Sequence, residues 1–178
     1  MPTVNPSYSR SLYALEKLTV EAILNNLRST NAIASLRIFR PFNVSGKWQR
    51  RGVVYEMVKS AVQSNKICYA CDQTREITFV TDATKSALDA ILARNGCEGT
   101  FDLTSRYHVY LKDLALYIRN ALRQIASIKW SAINIEAMPF STSYIYTRGT
   151  VPVIESKQDL AYFEIRLRNI VKDIVDQL

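Results

Sequence analysis

Residues 34–44 read Ala34-Ser35-Leu36-Arg37-Ile38-Phe39-Arg40-Pro41-Phe42-Asn43-Val44 and run into the turn-forming pair Ser45-Gly46. The stretch is short, apolar and aromatic, which predicts a buried strand interrupted near Pro41, because proline cannot donate to a ladder. Just upstream, Leu12 to Arg28 carries Leu15, Leu18, Ala22, Ile23 and Leu27 at helical spacing with no Gly or Pro inside. A helix leading into a strand sets an α/β rhythm.

The rhythm continues downstream. Val53 to Ser64 returns to helical period through Val54, Val58, Ala61 and Val62, and Lys66–Ala70 and Glu76–Val80 read as short strands around an Asp72-Gln73-Thr74 turn. Asp82 is placed to cap the next helix, Ala83 to Arg94, which should bury Ala87, Leu88, Ile91 and Leu92 and stop at Asn95-Gly96. Thr100–Thr104 reads as a strand, and Leu111–Ile125 as a helix with the stripe Leu114, Ala115, Ile118, Ala121, Leu122 and Ile125. Trp130–Ile135 suits another strand, and residues 139–155, with Pro139, Gly149 and Pro152, a loop. Ser156, with Asp159 three residues on, is set to cap a last helix carrying Phe163, Leu167, Ile170, Val171, Ile174 and Leu178 along one side.

Composition excludes several chemistries. The 178 residues are 48% hydrophobic and 22% charged, ordinary for one globular unit and unlike a disordered chain. Only five glycines occur, Gly46, Gly52, Gly96, Gly99 and Gly149, where average usage would give about twelve. A dinucleotide or P-loop cradle gathers several glycines within about eight residues, and no such loop is present. No run approaches the roughly 18 apolar residues of a membrane span, and the first ten residues lack the apolar core of a signal peptide. Three cysteines are too few for a disulfide framework, which suits a reducing compartment and leads us to expect a cytoplasmic protein.

Charge is unevenly placed. Of the 23 Lys+Arg and 16 Asp+Glu, residues 1–51 hold eight bases and two acids, so nearly all of the net +7 lies in the first third. An anionic ligand or partner there is one reading, and solvated helix faces are the other.

Tyr13 and Lys17 lie four apart on the first helix, so their side chains share a face. An ammonium beside a phenol favours phenolate and would make the tyrosine a usable general base; a plain surface contact is the alternative. The surroundings add more. Tyr13-Ala14-Leu15-Glu16-Lys17 with Glu21, followed by Leu36 to Val44, resembles the YxxxK helix and RPFNV strand of extended short-chain dehydrogenases/reductases, the NAD-dependent epimerase/dehydratase family acting on nucleotide sugars. In the same order, Arg75 to Asp82 (REITFVTD) resembles the family's RDFVxVxD segment, Gly99-Thr100-Phe101-Asp102-Leu103 its G-x-F/Y-N-L strand, and Ser156-Lys157 with the last helix its closing segment.

The resemblance spans about residues 8–178 and implies an α/β fold: a partial Rossmann-like unit with a small α+β substrate-binding lobe. Residues 1–46 would be the YxxxK helix and RPFNV strand of the Rossmann part, and 47–178 mainly the lobe, with a returning strand and the C-terminal helix. It implies Tyr13 as the acid/base taking a proton from a sugar hydroxyl while hydride passes to NAD. Lys17 would hold the cofactor's ribose, and Pro41 would stand beside the nicotinamide. Asn43, Arg75 and Arg148 match positions that bind the diphosphate of a nucleotide sugar such as a UDP-sugar, a task suited to arginine's planar fork.

The departures matter equally. In the family a Gly-rich strand-turn-helix and a catalytic Ser/Thr precede the Tyr-Lys motif, whereas twelve residues precede Tyr13 here, so the N-terminal Gly-rich half and its pyrophosphate cradle are expected to be absent. Glu16 replaces the usual Ser, and Lys47 the Pro expected after Gly46. The first helix should then carry an uncovered apolar stripe, open to a complementary half or to self-association. Inactivity alone is the expectation, and a non-enzymatic or vestigial module on the same scaffold is the alternative.

Two other signals are weaker. Cys68 and Cys71 form one CxxC that Cys97 and His108 could extend to a zinc set, but three-apart positions on a strand face opposite ways, so no metal is expected. Lys47-Trp48-Gln49-Arg50-Arg51 is the best nucleic-acid candidate, though diphosphate binding accounts for the same charge. His108 has no nucleophile or carboxylate tied to it by spacing and reads as structural.

Overall fold

A computed structural model describes residues 12–71, 73–93, 98–105, 107–125, 133–138 and 157–178. In chain order these form α1 (Leu12–Ser29), β1 (Arg37–Pro41), β2 (Val44–Ser45), α2 (Val53–Ser64), β3 (Lys66–Ala70), β4 (Thr74–Glu76), β5 (Thr78–Phe79), α3 (Val80–Leu92), β6 (Gly99–Leu103), β7 (His108–Tyr110), α4 (Leu111–Gln124), β8 (Asn134–Met138) and α5 (Lys157–Gln177). Strand pairs and helices alternate, a mixed α/β fold. The chain divides into two compact units, residues 1–40 with 89–102, and residues 41–88 with 103–178.

The larger unit holds the core. Apolar positions three and four apart on α2 (Val54, Met57, Val58, Ala61), α4 (Leu111, Leu114, Ala115, Ile118, Ala121, Leu122) and α5 (Phe163, Leu167, Ile170, Val171, Ile174) are buried together. Phe163 is their aromatic hub, with ring centroids 5.3 Å from Tyr107 and 5.7 Å from both Phe79 and Tyr117. Helix α2 ends at Asn65, which takes the left-handed conformation with its N–H on the Ala61 carbonyl at 3.0 Å. The Asn65 carbonyl then accepts from Asn134 N–H at 2.9 Å, where β8 begins.

Each strand pairs with one distant in sequence. Strands β3 and β8 run parallel in register Lys66↔Asn134 to Ala70↔Met138, β2 pairs parallel with β5, and β4 pairs antiparallel with β7. The predicted strand 66–70 forms as β3, whereas 76–80 divides: Glu76 ends β4, Thr78–Phe79 form β5 and Val80 opens α3. His108–Tyr110, not expected as a strand, forms β7, with Val109 opposite Arg75.

Helix α3 corrects two expectations. It starts at Val80, so Asp82 lies within its first turn rather than at its cap, and its carboxylate is held by Arg166. Leu88, Ile91 and Leu92, expected to be buried, are exposed, Leu92 at 74%, because no described residue covers that face. Leu178 is likewise exposed at the end of α5. Asn95-Gly96, Trp130, the 139–155 loop and Ser156 lie outside the described residues.

The smaller unit is built on a different balance. Strands β1 and β6 pair, Phe39 stacks on Phe101 at 5.5 Å between centroids, and the Leu36 carbonyl accepts from Gly99 N–H at 3.1 Å. Helix α1 half-buries Ala14, Leu18, Glu21, Leu24 and Arg28, the positions of one face. Its opposite face carries Leu12, Leu15, Val20, Ile23 and Leu27 in solvent, and α1 has no buried residue. None of the described residues of this unit belongs to the buried core. Of the apolar stripe expected on the first helix, Leu15, Ala22, Ile23 and Leu27 are uncovered and Leu18 is half-buried.

Candidate functional site

The helical spacing that brings Tyr13 and Lys17 together holds: both project from the first turns of α1, with Lys17 Nζ 5.4 Å from the Tyr13 ring centroid. The contact is to the ring. Tyr13 is 68% exposed, so water surrounds the pair, and an ammonium acts on a neighbouring phenol far more weakly there than in a closed site.

Behind this pair, α1 is anchored to β1 by an ion pair. Arg40 Nε donates to Glu21 Oε1 at 2.8 Å, and Nη2 donates to Oε2. The fork-on-carboxylate arrangement is the strong form of the interaction. The Arg40 hydrogen bonds, aided by its charge and opposed by partial burial, hold the Glu21 carboxyl below the ordinary range. Arg28 pairs with Glu98 at 2.8 Å in the same unit.

Pro41, Asn43 and Arg75 belong to the larger unit. Pro41 ends β1 and is exposed. Asn43 sits between β1 and β2 with φ 41°, in the left-handed region that asparagine tolerates, and its carbonyl accepts from Thr78 N–H at 3.3 Å. Its side chain is therefore set in the turn whose backbone is tied to the segment that follows Arg75. Arg75 lies on β4 opposite Val109, half-buried, with Nη1 donating to the Thr74 carbonyl at 2.9 Å, a contact that uses one nitrogen of its fork. Arg148 lies outside the described residues, as does Cys97. Among the described residues no three of His, Cys, Asp and Glu are grouped as metal ligands.

Two polar clusters escaped the sequence. Glu76, nearly buried, accepts from Ser105 N–H through Oε1 and lies 3.6 Å from His108 Nε2 through Oε2. The lone histidine thus has a carboxylate partner, created by the Glu76↔His108 register of β4 and β7, a long-range pairing that spacing along the chain does not reveal. Arg166 on α5 donates to Asp82 Oδ2 at 2.6 Å and to Thr81 Oγ1, and its guanidinium stacks 4.1 Å from the Phe79 ring centroid and 5.0 Å from that of Tyr162. An arginine on an apolar helix stripe, four residues after a tyrosine, was the available signal.

The geometry defines a Rossmann-like α/β piece with a Tyr-Lys pair on its first helix. The sequence model of the NAD dependent epimerase/dehydratase family matches residues 2–104, and the chain belongs to that family. Among solved structures it is similar to a UDP-N-acetylglucosamine 4-epimerase from Methanobrevibacter ruminantium in complex with UDP-N-acetylmuramic acid, with TM-score 0.68 and 18% identity, covering 95% of this chain and 55% of that one. A Thermus thermophilus UDP-glucose 4-epimerase in complex with NAD gives TM-score 0.69 and 16% identity at the same coverages. A UDP-glucuronic acid 4-epimerase from Bacillus cereus in complex with NAD gives TM-score 0.64 and 17% identity, covering 94% and 53%. The chain thus spans about half the length of these structures. No curated protein matches it. Among the described residues no helix is long and apolar enough to cross a membrane.

Proposed function

We propose that this chain is the catalytic-tyrosine and nucleotide-sugar-binding part of an NAD-dependent nucleotide-sugar epimerase or dehydratase, acting in the cytoplasm and inactive by itself. The observation that carries the proposal is the Tyr13–Lys17 pair standing in solvent on a unit with no buried core among its described residues, in a chain of this family.

Tyr13 and Lys17, on the smaller unit, are exposed and accessible to a ribose. Pro41, on the larger unit, is also exposed. The glycines do not fit the cofactor's other end: Gly46 is packed against Val80, Gly52 caps α2, and Gly99 opens β6, so none of these three lies in a Gly-rich turn. Among the described residues no Gly-rich turn is available for the cofactor's pyrophosphate, a part that a complementary Gly-rich half would supply. NAD, when bound, supplies the hydride acceptor.

The chain's own residues supply the rest. Tyr13 Oη takes the proton of the sugar hydroxyl, Lys17 holds the ribose, and Asn43, Arg75 and Arg148 bind the diphosphate of a UDP-sugar. The outward stripe of α1, from Leu12 to Leu27, is the surface that the complementary half, or a second copy of the chain, covers. An uncovered stripe of this extent also fits a vestigial module that has kept the scaffold and lost the reaction.

Isothermal titration with UDP-glucose and, separately, with NAD tests the proposal. Binding of UDP-glucose that is lost in Arg75→Ala, with no binding of NAD, is expected. Ordinary turnover by the purified chain would refute inactivity alone, and binding of neither ligand would favour the vestigial module.

A further inference from the structure

The loop between β2 and α2, residues 46–52, is held more firmly than an exposed connection requires. Gln49 N–H donates to the Gly46 carbonyl at 3.3 Å, which makes Lys47 and Trp48 the tip of a tight turn. Trp48 has φ 66°, at the turn position where glycine or asparagine ordinarily stands. Its backbone is pinned there, because Trp48 N–H donates to Asp173 Oδ2 on α5 at 2.9 Å. Gln49 turns back, half-buried, with Nε2 donating to the Arg51 carbonyl at 2.6 Å, and Gly52 closes the loop at φ 97° as the N-cap of α2. A bulky side chain thus stands on a braced, strained backbone, an outlier from which a role can be inferred.

The brace presents one aromatic ring among cations. Trp48 is 66% exposed, and Lys47, Arg50 and Arg51 beside it are exposed too, with Lys47 Nζ 5.0 Å from the Trp48 ring centroid. Among the described residues no carboxylate pairs with any of these three bases, whereas Arg28, Arg40, Lys66 and Arg166 are all in ion pairs. Asp173 beneath the turn already accepts from Trp48 N–H and, at 2.7 Å, from Gln177 Nε2. Lys172 and Asp176, both exposed and four apart on α5, offset each other. That leaves Glu56, in the first turn of α2, against three unpaired cations, so the loop is net positive.

We propose that this loop docks the chain on an anionic bilayer surface. The Trp48 indole enters the headgroup layer, which accommodates both its apolar ring and its polar N–H, while Lys47, Arg50 and Arg51 meet the lipid phosphates and carboxylates. Each base near such a surface strengthens attachment about fivefold, so binding is reversible and falls with salt. The occupant follows from what surrounds the indole. An aromatic anchor for a protein partner sits in a packed apolar patch, and a single-strand platform repeats its aromatics along a groove. Residues 46–52 hold one aromatic and no aliphatic side chain. A lone projecting indole flanked by cations needs no pocket in its partner, and a bilayer interface offers none. Attachment of this kind is peripheral, and it does not rest on the proposed reaction.

The chain has two tryptophans, so a Trp130→Phe background leaves Trp48 as the reporter. Vesicles of phosphatidylcholine with about a third phosphatidylserine should co-sediment the chain and shift its emission to the blue; pure phosphatidylcholine vesicles should do neither. Arg50→Ala combined with Arg51→Ala should weaken co-sedimentation about thirtyfold, and Trp48→Ala should weaken it with the circular dichroism unchanged. Leu15→Glu with Ile23→Glu should leave it unchanged, because the outward stripe of α1 is a different apolar surface, on the smaller unit. No association with anionic vesicles would overturn the proposal. So would association without a blue shift, association that survives loss of both arginines, or association lost with the α1 stripe, which would then be the membrane-facing surface. Binding of a short oligothymidylate or of polyglutamate in place of vesicles would assign the loop to nucleic acid or to an acidic protein and overturn it equally.

Discussion

Arg166→Ala should be the most informative single change in the C-terminal helix. The guanidinium donates to Asp82 and Thr81 at the start of α3 while lying over Phe79 and against Tyr162, and its side chain is only 15% exposed. Asp82 is 47% exposed, so solvent screens the charge pairing, which we take as about 1 kcal/mol. The contact with buried Phe79 adds about 1 kcal/mol, and that with half-exposed Tyr162 about 0.5 kcal/mol. Lost packing of the aliphatic stem brings the total to about 3 kcal/mol. For a chain of this size that lowers Tm by about 6 to 12 °C. Urea denaturation followed by circular dichroism, in a double-mutant cycle with Asp82→Asn, separates the parts: Asp82→Asn alone should cost about 1 kcal/mol, and the coupling should be of similar size. A loss below about 0.5 kcal/mol for Arg166→Ala would refute the idea that this arginine clamps α5 to the β5–α3 junction.

Phe163→Ala removes the fully buried aromatic hub and should cost about 3–5 kcal/mol in the same assay. Gly46→Ala should destabilise by about 1–3 kcal/mol because the new methyl meets Val80, and Val80→Ala in the same chain should restore part of the loss. The Glu21 carboxyl is depressed in the folded chain, so its pairing with Arg40 contributes fully above the unfolded carboxylate value, about 4.3, and is lost as pH falls through the lower folded value. Glu21→Gln should therefore flatten the acid limb of a stability–pH curve and cost about 1 kcal/mol at neutral pH. Replacing Leu15 and Ile23 by Glu on the outward face of α1 should leave the larger unit's stability unchanged and abolish any self-association seen by light scattering.

Much of the fold was legible because local periodicity is local physics. The limits of α2 and α4 follow from their apolar spacing, and the break between β1 and β2 follows from Pro41. Pairing was not legible: β3 finds β8 across more than sixty residues, and no local pattern states that register. The same blindness hid the Glu76–His108 contact, which exists only because β4 and β7 align. Asp82 looked like a cap because a carboxylate before an apolar helix usually is one; Arg166, 84 positions away, engages it instead. On α3 the apolar stripe was read correctly as a pattern and wrongly as burial, since periodicity reports which face is to be covered and not whether this chain covers it.

That distinction bears on the proposed chemistry. A helix apolar on opposite faces is ordinarily buried on both, and α1 half-buries one face while leaving Leu12, Leu15, Val20, Ile23 and Leu27 in water. Tyr13 and Lys17 ride on this same helix, so whatever covers the stripe also changes the surroundings of the pair. Excluding water would strengthen the pull of the Lys17 ammonium on the Tyr13 phenol several-fold, since the effective dielectric falls from about 80 toward 20. Under the proposed function, covering the stripe and excluding water from around Tyr13 and Lys17 are one event. A complementary half would then do more than bring the cofactor: it would supply the low-dielectric setting in which the tyrosine works as the proposed base.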